Sequence, residues 1–481
     1  MPGDGIPPGL VKKVRTADDG QDNSDGNGGQ GVVLPVVPPA PTPVIPANLA
    51  AYLPADIQTV FDNQPDGLAW TPLEVQTEDG FVAATLTAPV VVFADLPAGS
   101  GSAPLFLDGG DVVGVVDIGA APMSIDDDGA LYQYIVAGGA GMTLFDQAAS
   151  GEVVADSGVN EWIFGQAGVH QWVINLAGGD NTVFTGSGND VISTGPASTN
   201  EIVLQGGNNL VNSYGHDTII AGSGDDTISV GGSGALVFGG SGQLTFIDAN
   251  PVVGGSASEI VGGNGFITAY GGAGSLTVFG GSGGGIYFGG SAGDNLMVGG
   301  AGRDTLVGGG SGDRLYAGAG GHDVLVAASG NETLVGSLSH GGNVFYGGTG
   351  PDIIVMGAGN NTVSAGAAGT SDVVFGGGGN DTVSAGAANV FYVAGTGSAL
   401  IDAGSGADAF QFVNGQAGGS AVINGFVPGV DRIDLQGYAP GTAAQVVANA
   451  VPSGGSLLLT LPDATHILLT GVSQLPSSAV S

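Results

Sequence analysis

Aspartates recur at a nine-residue interval through the part of the chain that follows residue 176. Asp304 follows the glycines of GGAGRDTLV, and Asp313 follows those of GGGSGDRLY nine residues later. Carboxylate oxygens are hard ligands which, completed by backbone carbonyls, suit Ca²⁺. The spacing therefore predicts a row of calcium sites, with solvated turn carboxylates as the alternative. The predicted ligands are Asp190, Asp217, Asp226, Asp294, Asp304, Asp313, Asp323, Asp352, Asp372, Asp381 and Asp408.

The repeat that carries these aspartates is G-G-x-G-x-D-x-U-x, in which U is a large apolar residue. Its glycines allow a tight turn, and x-U-x is a minimal strand whose middle side chain points inward. Two repeats would make a coil of about 18 residues, which places Asp304 near Asp323 and Asp313 near Glu332. Stacked coils lie about 4.8 Å apart, so bare carboxylates would repel and a cation should sit between them. We therefore predict an all-β fold, a parallel β-roll or β-solenoid.

Several repeats depart from this pattern. Asparagine, which can ligate but adds no charge, replaces aspartate at Asn181, Asn209, Asn343, Asn361 and Asn389, so these sites should be weaker. Between residues 231 and 290 only Asp248 and Glu259 are acidic, although the glycine turns persist. We predict that this stretch is a calcium-poor solenoid held by an apolar ladder. The candidates for that ladder are Val237, Phe246, Ile267, Val278 and Tyr287.

The repeats between residues 176 and 412 resemble those of the RTX (repeats-in-toxin) family, whose members are exported by type I secretion. The resemblance implies a parallel β-roll with Ca²⁺ between successive turns. The segments INGFVPGVDRIDLQGY (residues 423–438) and SLLLTLPDATHILLTGVSQL (residues 456–475) are similar to the C-terminal region that closes many such rolls. In that family the same region carries an uncleaved secretion signal. Ala464 stands where the family usually has glycine.

Composition divides the chain into four regions. Residues 1–50 form a Gly/Asp-rich and then Pro-rich segment, which we expect to be a disordered spacer. Residues 51–175 contain β-rich runs and all three tryptophans, and predict a small N-terminal β domain or a cap for the solenoid. Residues 176–412 are the predicted roll, and residues 413–481 the predicted C-terminal β cap with the type I signal.

Charge and motifs exclude several classes of function. The formal net charge is −37 with only six Lys and Arg, so the chain should repel nucleic acid and anionic lipid. No apolar run is long enough to insert into a membrane, and no cysteine is present. The G-x-S-x-G matches around Ser282 and Ser291 lie inside glycine repeats, without the strand-to-helix turn that a nucleophile needs. We therefore predict a protein that is not an enzyme.

These observations together predict a secreted, extracellular or cell-surface protein that folds and assembles with Ca²⁺. Its expected role is structural, in a surface layer or a biofilm matrix. We expect it to bind other copies of itself and cell-surface or matrix polysaccharide. One alternative is a calcium-dependent adhesin that binds a glycan or a surface through the N-terminal β domain. Another is an enzyme or toxin with an RTX tail.

Overall fold

The computed structural model describes residues 160–165, 171–252, 257–336, 339–416 and 419–481, together with eight strands between residues 71 and 155. The predicted spacer, residues 1–50, lies outside the described residues. Nearly every regular element of the described part is a short β-strand.

The described strands are short and evenly spaced along the chain. The first twenty are β1 (Thr71–Val75), β2 (Val90–Ala94), β3 (Ala103–Leu107), β4 (Val112–Asp117), β5 (Met123–Asp127), β6 (Gln133–Ala137), β7 (Met142–Asp146), β8 (Ser150–Ala155), β9 (Trp162–Gly165), β10 (Gln171–Leu176), β11 (Thr182–Phe184), β12 (Val191–Thr194), β13 (Glu201–Val203), β14 (Leu210–Ser213), β15 (Asp217–Ile220), β16 (Asp226–Val230), β17 (Ala235–Phe238), β18 (Leu244–Asp248), β19 (Ser258–Val261) and β20 (Ile267–Tyr270). The remaining strands are β21 (Leu276–Phe279), β22 (Gly285–Phe288), β23 (Leu296–Val298), β24 (Asp304–Val307), β25 (Arg314–Tyr316), β26 (Val324–Val326), β27 (Thr333–Val335), β28 (Val344–Tyr346), β29 (Ile353–Val355), β30 (Thr362–Ser364), β31 (Ser371–Phe375), β32 (Asn380–Ser384), β33 (Asn389–Val393), β34 (Ser398–Asp402), β35 (Ala409–Val413), β36 (Ser420–Asn424), β37 (Arg432–Gln436), β38 (Val451–Ser453), β39 (Ser456–Thr460) and β40 (His466–Leu469).

Successive strands alternate between two parallel sheets. Sheet A contains β1, β2, the later even-numbered strands and β39, and sheet B contains the odd-numbered strands from β3 to β37. Each strand from β2 to β35 pairs with the strand two elements later, so that Leu306 in β24 lies opposite Leu325 in β26. Leu315 in β25 likewise lies opposite Leu334 in β27. The predicted parallel β-solenoid, with one strand from each sheet per coil, is confirmed.

The core is a double column of side chains between the two sheets. Each x-U-x strand buries its middle residue, and Leu306, Leu325, Leu315 and Leu334 are all fully buried. The five predicted members of the apolar ladder between residues 231 and 290 are also buried. One inward residue per strand buries little by itself, so the stability of the fold comes from stacking many coils.

The turns stack so closely that a side chain cannot fit at certain positions. A Cβ atom added to Gly300 would lie 1.6 Å from the carbonyl oxygen of Gly281 in the preceding coil. Next to this contact, the backbone N–H of Ala301 donates a hydrogen bond of 3.0 Å to the same oxygen. The glycine is therefore required by the contact between turns.

The C-terminal end of the solenoid is closed by a change from parallel to antiparallel pairing. β36 pairs in parallel with β40, which pairs antiparallel with β39, and β39 in turn pairs antiparallel with β38. The helix α1 (Thr442–Ala448) precedes this hairpin, and a 3₁₀ turn spans Ser477–Ala479. In the described part of the chain, no helix has the length and apolar character to cross a membrane. The predicted C-terminal β cap is thus confirmed, and Ala464 adopts a left-handed φ of 67° at its turn.

The N-terminal strands belong to the same two sheets. β7 pairs in parallel with β9, and β8 pairs in parallel with β10, which spans residue 175. An N-terminal β region is therefore present. The domain boundaries at residues 50, 175 and 412 stay predictions.

Candidate metal-binding edges

Ten of the eleven predicted ligands occupy one recurrent place in the coil, the corner position. We define a corner residue as the residue two positions before the buried middle residue of a strand. Corner residues that enter sheet A form edge A, and those that enter sheet B form edge B. The ten aspartates are at most 3% exposed. Edge A contains Asp190, Asp226, Asp304, Asp323 and Asp381, and edge B contains Asp217, Asp313, Asp352, Asp372 and Asp408.

Neighbouring corners are joined by a hydrogen bond from backbone to side chain. The backbone N–H of Asp304 donates to Oδ1 of Asp323 in the next coil at 2.9 Å. On edge B, the N–H of Asp352 donates to Oδ1 of Asp372 at 3.1 Å in the same way. One oxygen of each accepting carboxylate is therefore neutralised in part by a peptide dipole before any cation binds.

The second oxygen often closes the glycine turn of its own coil. Oδ2 of Asp304 accepts from the N–H of Gly300 at 2.8 Å, and Oδ2 of Asp313 accepts from the N–H of Gly309 at 2.7 Å. In both cases the donor lies four residues before the aspartate and is the second glycine of the repeat. This contact explains the fixed distance between the glycine pair and the carboxylate.

Three buried carboxylates have oxygens that these contacts leave without a hydrogen-bond partner. They are Oδ2 of Asp323, both oxygens of Glu332 and Oδ2 of Asp408. Burial raises the pKa of Asp323 and of Asp408 to about 6, and it raises the pKa of Glu332 well above its usual range. The nearby Asp352 carboxylate raises the Glu332 pKa further. Hard anionic oxygens without donors, in positions where their charge is disfavoured, fit a calcium ion.

The donor set also limits what such a site can contain. Within the described ranges, no three Asp, Glu or His side chains converge on one point. The side chains would therefore supply one or two carboxylates per ion, and backbone carbonyls would supply the remaining oxygens. This donor chemistry suits Ca²⁺, which accepts six to eight oxygen ligands in flexible geometry.

Asp294 differs from the other ten predicted ligands. Its side chain is exposed, its φ is 53°, and the following residue, Asn295, occupies the corner. Oδ1 of Asn295 accepts from the N–H of Leu276 at 2.7 Å, while its Nδ2 donates to Oδ1 of Asp313 at 2.8 Å. Asn295 and Asn200 are corner residues that the glycine repeat did not reveal. The buried residue two positions later is the signal that locates both.

Asparagine at a corner supplies a donor where aspartate cannot. Nδ2 of Asn361 donates to Oδ1 of Asp381 at 3.0 Å, and Nδ2 of Asn209 donates to Oδ1 of Asp226 at 2.8 Å. The amide thus satisfies the neighbouring carboxylate without an ion. Asn389 instead lies one position before its corner and is exposed, since Val390 takes the corner.

Corner residues between residues 231 and 290 are mostly apolar or small. Edge A passes through Leu244, Ile267 and Gly285, and edge B through Ala235, Ser258 and Leu276. At Gly285 the space is filled by Tyr287, whose hydroxyl lies 3.4 Å from Oδ1 of Asp304. As predicted, neither edge has an acidic corner residue among the described residues between 231 and 290.

Comparison with known protein families supports the interpretation of the coils as nonapeptide repeats. A family model described as the RTX calcium-binding nonapeptide repeat (4 copies) matches residues 173–196, 204–235, 211–243, 289–321, 341–369 and 368–392. No curated protein matches the chain. The matches include coils with Asp or Asn at their corners, such as residues 289–321, and leave residues 244–288, where the corners are apolar or small, unmatched. The protein therefore carries RTX calcium-binding nonapeptide repeats in several copies across residues 173–392.

Proposed function

We propose that this protein is secreted and uses Ca²⁺ bound along its two edges to complete the fold of a structural, non-enzymatic solenoid. The observation that carries the proposal is the set of buried carboxylate oxygens without a partner on Asp323, Glu332 and Asp408. A buried charge without a partner destabilises a fold, and a divalent cation removes that cost. Corner carboxylates and turn carbonyls would hold the ions.

Calorimetry on the full chain tests calcium binding directly. Sites of extracellular modules bind with Kd of roughly 10⁻⁴ to 10⁻³ M, so heat should appear at millimolar Ca²⁺. Asp304→Ala combined with Asp323→Ala should weaken this uptake more than Asn361→Ala, which removes no charge. Mg²⁺ should substitute poorly because it demands a tighter octahedral shell. The absence of any uptake at millimolar Ca²⁺ would refute the proposal.

The serines of the two G-x-S-x-G matches support a protein that is not an enzyme. Ser282 lies in the turn between β21 and β22, and its hydroxyl donates a hydrogen bond of 2.9 Å to Oδ1 of Asn264. Ser291 lies in the next turn, between β22 and β23. Both turns connect strands of a solenoid, so neither serine stands on a strand-to-helix turn. Assays with generic ester and peptide substrates should show no turnover above buffer.

Secretion is the part of the proposal that concerns location. RTX repeats are typical of secreted proteins, and residues 413–481 resemble the family region that carries the type I signal. Deleting about the last 60 residues should retain the protein in the cell, whereas deleting residues 1–46 should not. Because the first deletion also removes the C-terminal cap, the retained protein should be checked for solubility. A truncated protein that is still exported would exclude this route.

A role in a surface layer or matrix requires assembly. Ca²⁺ bound at the edges would reduce the charge of −37 that keeps copies apart. Ordered multimers should therefore form as Ca²⁺ rises and dissolve in chelator, which light scattering and electron microscopy can follow. A protein that stays monomeric in several millimolar Ca²⁺ would instead favour the alternative adhesin. Retention on a glycan column by the N-terminal β region would then be the next test.

A further inference from the structure

Sheet B presents an uninterrupted column of large apolar residues on its outer surface. The column consists of the residue that follows the buried residue in each of the fourteen strands from β7 to β33, and we call it the apolar column. Its members are opposite one another in the strand register. They are Phe145, Phe164, Phe184, Val203, Ile220, Phe238, Val261, Phe279, Val298, Tyr316, Val335, Val355, Phe375 and Val393.

The equivalent column on sheet A shows that the fold does not require this composition. There, from β10 to β36, the outward residues are apolar only in the middle, from Ile247 to Tyr346, and polar at both ends. The polar members are Asn175, Ser193, Asn212 and Ser229 at one end and Ser364, Ser384, Asp402 and Asn424 at the other. Both columns lie on short solenoid strands that bury their middle residue. The difference in composition is therefore a property of the outer surface and is not required by the coil.

The side chains of the apolar column remain partly open to solvent in this chain. Phe145, Ile220, Phe279 and Phe375 are each 36% to 41% exposed. The rings of Phe145 and Phe164 stack with centroids 5.0 Å apart, which covers their faces but leaves the outer edges uncovered. Apolar patches of this length on a soluble protein mark interaction sites.

Charge is also nearly absent from this surface. The other outward position on the same fourteen strands is the residue before the buried one, from Thr143 in β7 to Phe391 in β33. Its only charged members are Glu201, Glu259 and Arg314. The surface therefore carries a formal charge of −1, in a chain whose net charge is −37. Two acidic copies therefore meet little direct charge repulsion across this face.

We infer that the outer face of sheet B, over the strands from β11 to β33, binds the same face of a second copy in antiparallel orientation. A two-fold axis between β21 and β23 puts Glu259 of one copy opposite the partner's Arg314, and this pair occurs twice. Two-fold symmetry of this kind makes the interface self-complementary. The inference rests on the self-association part of the proposed function and identifies the surface responsible for it.

The size of the face is adequate for such a dimer. In this register the strands from β11 to β33 overlap. The length of the overlap is eleven coil spacings of about 4.8 Å each, and its width, the length of one short strand, is about 10 Å. Each copy would cover about 500 Å², and the pair about 1,000 Å², the area at which specific interfaces begin. Two solenoids joined in this way keep edge A and edge B accessible, because these edges lie beside the face and not on it.

Charge reversal across the axis gives a specific test. Sedimentation of the full chain in 5 mM Ca²⁺ should show a dimer that is at least about tenfold weaker in Arg314→Glu and in Glu259→Arg. The double variant should recover wild-type association, because each new pair is again complementary. Tyr346→Ser, which changes the outer face of sheet A, is the matched control and should leave dimerisation unchanged. Circular dichroism should confirm that every variant is folded.

The outcomes separate this interface from the proposed calcium function. If Arg314→Glu dimerises as the wild type does, or if Tyr346→Ser weakens the dimer equally, the interface is wrong while calcium uptake can still be normal. A wild-type protein that is monomeric at all concentrations also overturns it, and retention of that monomer on polysaccharide would favour the adhesin alternative. Loss of calcium uptake in calorimetry would refute the proposed function without affecting the result of the charge swap.

Discussion

The coils of residues 299–384 and those of residues 231–290 share one backbone but differ at their corners. Both have glycine turns, one strand in each sheet per coil and a fully buried middle residue, such as Leu306 in the first region and Phe246 in the second. In the first region, the acid-cornered coils, most corners are Asp, Glu or Asn. In the second, the apolar-cornered coils, Leu244, Ile267 and Leu276 occupy the same place. We therefore expect the corners to decide whether a coil depends on a bound ion.

The free energies of the two kinds of corner have opposite sign. Burying a leucine or isoleucine side chain contributes about 1.5–3 kcal/mol of stability. A buried carboxylate without a full set of partners costs several kcal/mol while it stays charged. We therefore expect the apolar-cornered coils to be stable without Ca²⁺ and the acid-cornered coils to depend on it.

Removal of calcium should produce the largest difference between the regions. In chelator, hydrogen exchange of residues 299–384 should accelerate. A ligand present at 100 times its Kd adds about 2.7 kcal/mol to the free energy of unfolding, so each saturated site that is lost should speed exchange by about a hundredfold. Exchange of residues 231–290 should change little. Hydrogen exchange with mass spectrometry in Ca²⁺ and in chelator measures both regions in one experiment. Equal acceleration in the two regions would show that corner chemistry is not what distinguishes them.

Acidification should stabilise the acid-cornered coils in the absence of Ca²⁺. The pKa values of Asp323 and Asp408 are about 6 in the folded chain, above the ordinary value of 3.8. The native state therefore binds more protons than the unfolded state between these values, and the stability this gives is lost as pH rises through 6. Denaturant midpoints in chelator should be higher at pH 5 than at pH 8, by roughly 2–4 kcal/mol in unfolding free energy. Saturating Ca²⁺ should flatten this dependence.

Neutralising one corner should produce part of the same gain. Asp323→Asn retains an oxygen for the N–H of Asp304 and removes the buried charge. In chelator at pH 7.5 it should raise the free energy of unfolding by on the order of 1–3 kcal/mol, and in Ca²⁺ it should reduce ion uptake. Asp294→Asn is the control, because Asp294 is exposed and lies off the corner. If both substitutions have the same effect in chelator denaturation, burial of the corner charge is not the cause.

The smallest effect is expected at the junction of the two regions. Tyr287→Phe removes a hydroxyl that donates to Oδ1 of Asp304 at a long 3.4 Å. The loss should be about 0.5 kcal/mol, at the low end for a hydrogen bond. Thermal unfolding followed by circular dichroism can measure it. A loss above about 2 kcal/mol would mean that this hydroxyl organises the Asp304 corner.

Regular parts of the sequence were sufficient to predict the fold and most corner residues. The nine-residue period fixes two strands per coil, and this alone places Asp304 beside Asp323, as observed. Prediction failed where a turn gains one residue. At Asp294-Asn295 the glycine pattern selects Asp294 as the corner, but the extra residue moves the buried position from Leu296 to Met297 and the corner to Asn295.

Other features depend on atomic detail that the repeat does not encode. The predicted repulsion between stacked carboxylates is present, because burial and the Asp352 carboxylate raise the pKa of Asp372, but the axial offset of the coils also places a backbone N–H between the two. Which carboxylates keep an oxygen without a partner depends on the same offset. The apolar column requires the assignment of alternate repeats to sheets A and B, because its members recur only once per coil.

The corner hydrogen bonds all point in one direction along the solenoid, and this gives the stack a polarity. Where a corner N–H has a side-chain acceptor, that acceptor lies on the coil that follows it in sequence, from Trp172 and Asp190 to Asp408 and Asp431, whereas the N–H of Asp226 donates to the backbone carbonyl of Gln243. The backbone bonds beside them run the other way, since the N–H of Thr333 donates to the carbonyl oxygen of Asp313 in the preceding coil, so only the bonds from corner N–H to side chain carry this polarity. The C-terminal cap therefore does more than cover the last strands: its Asp431 supplies the side-chain acceptor for the corner N–H of Asp408 and continues the hydrogen bonding of edge B.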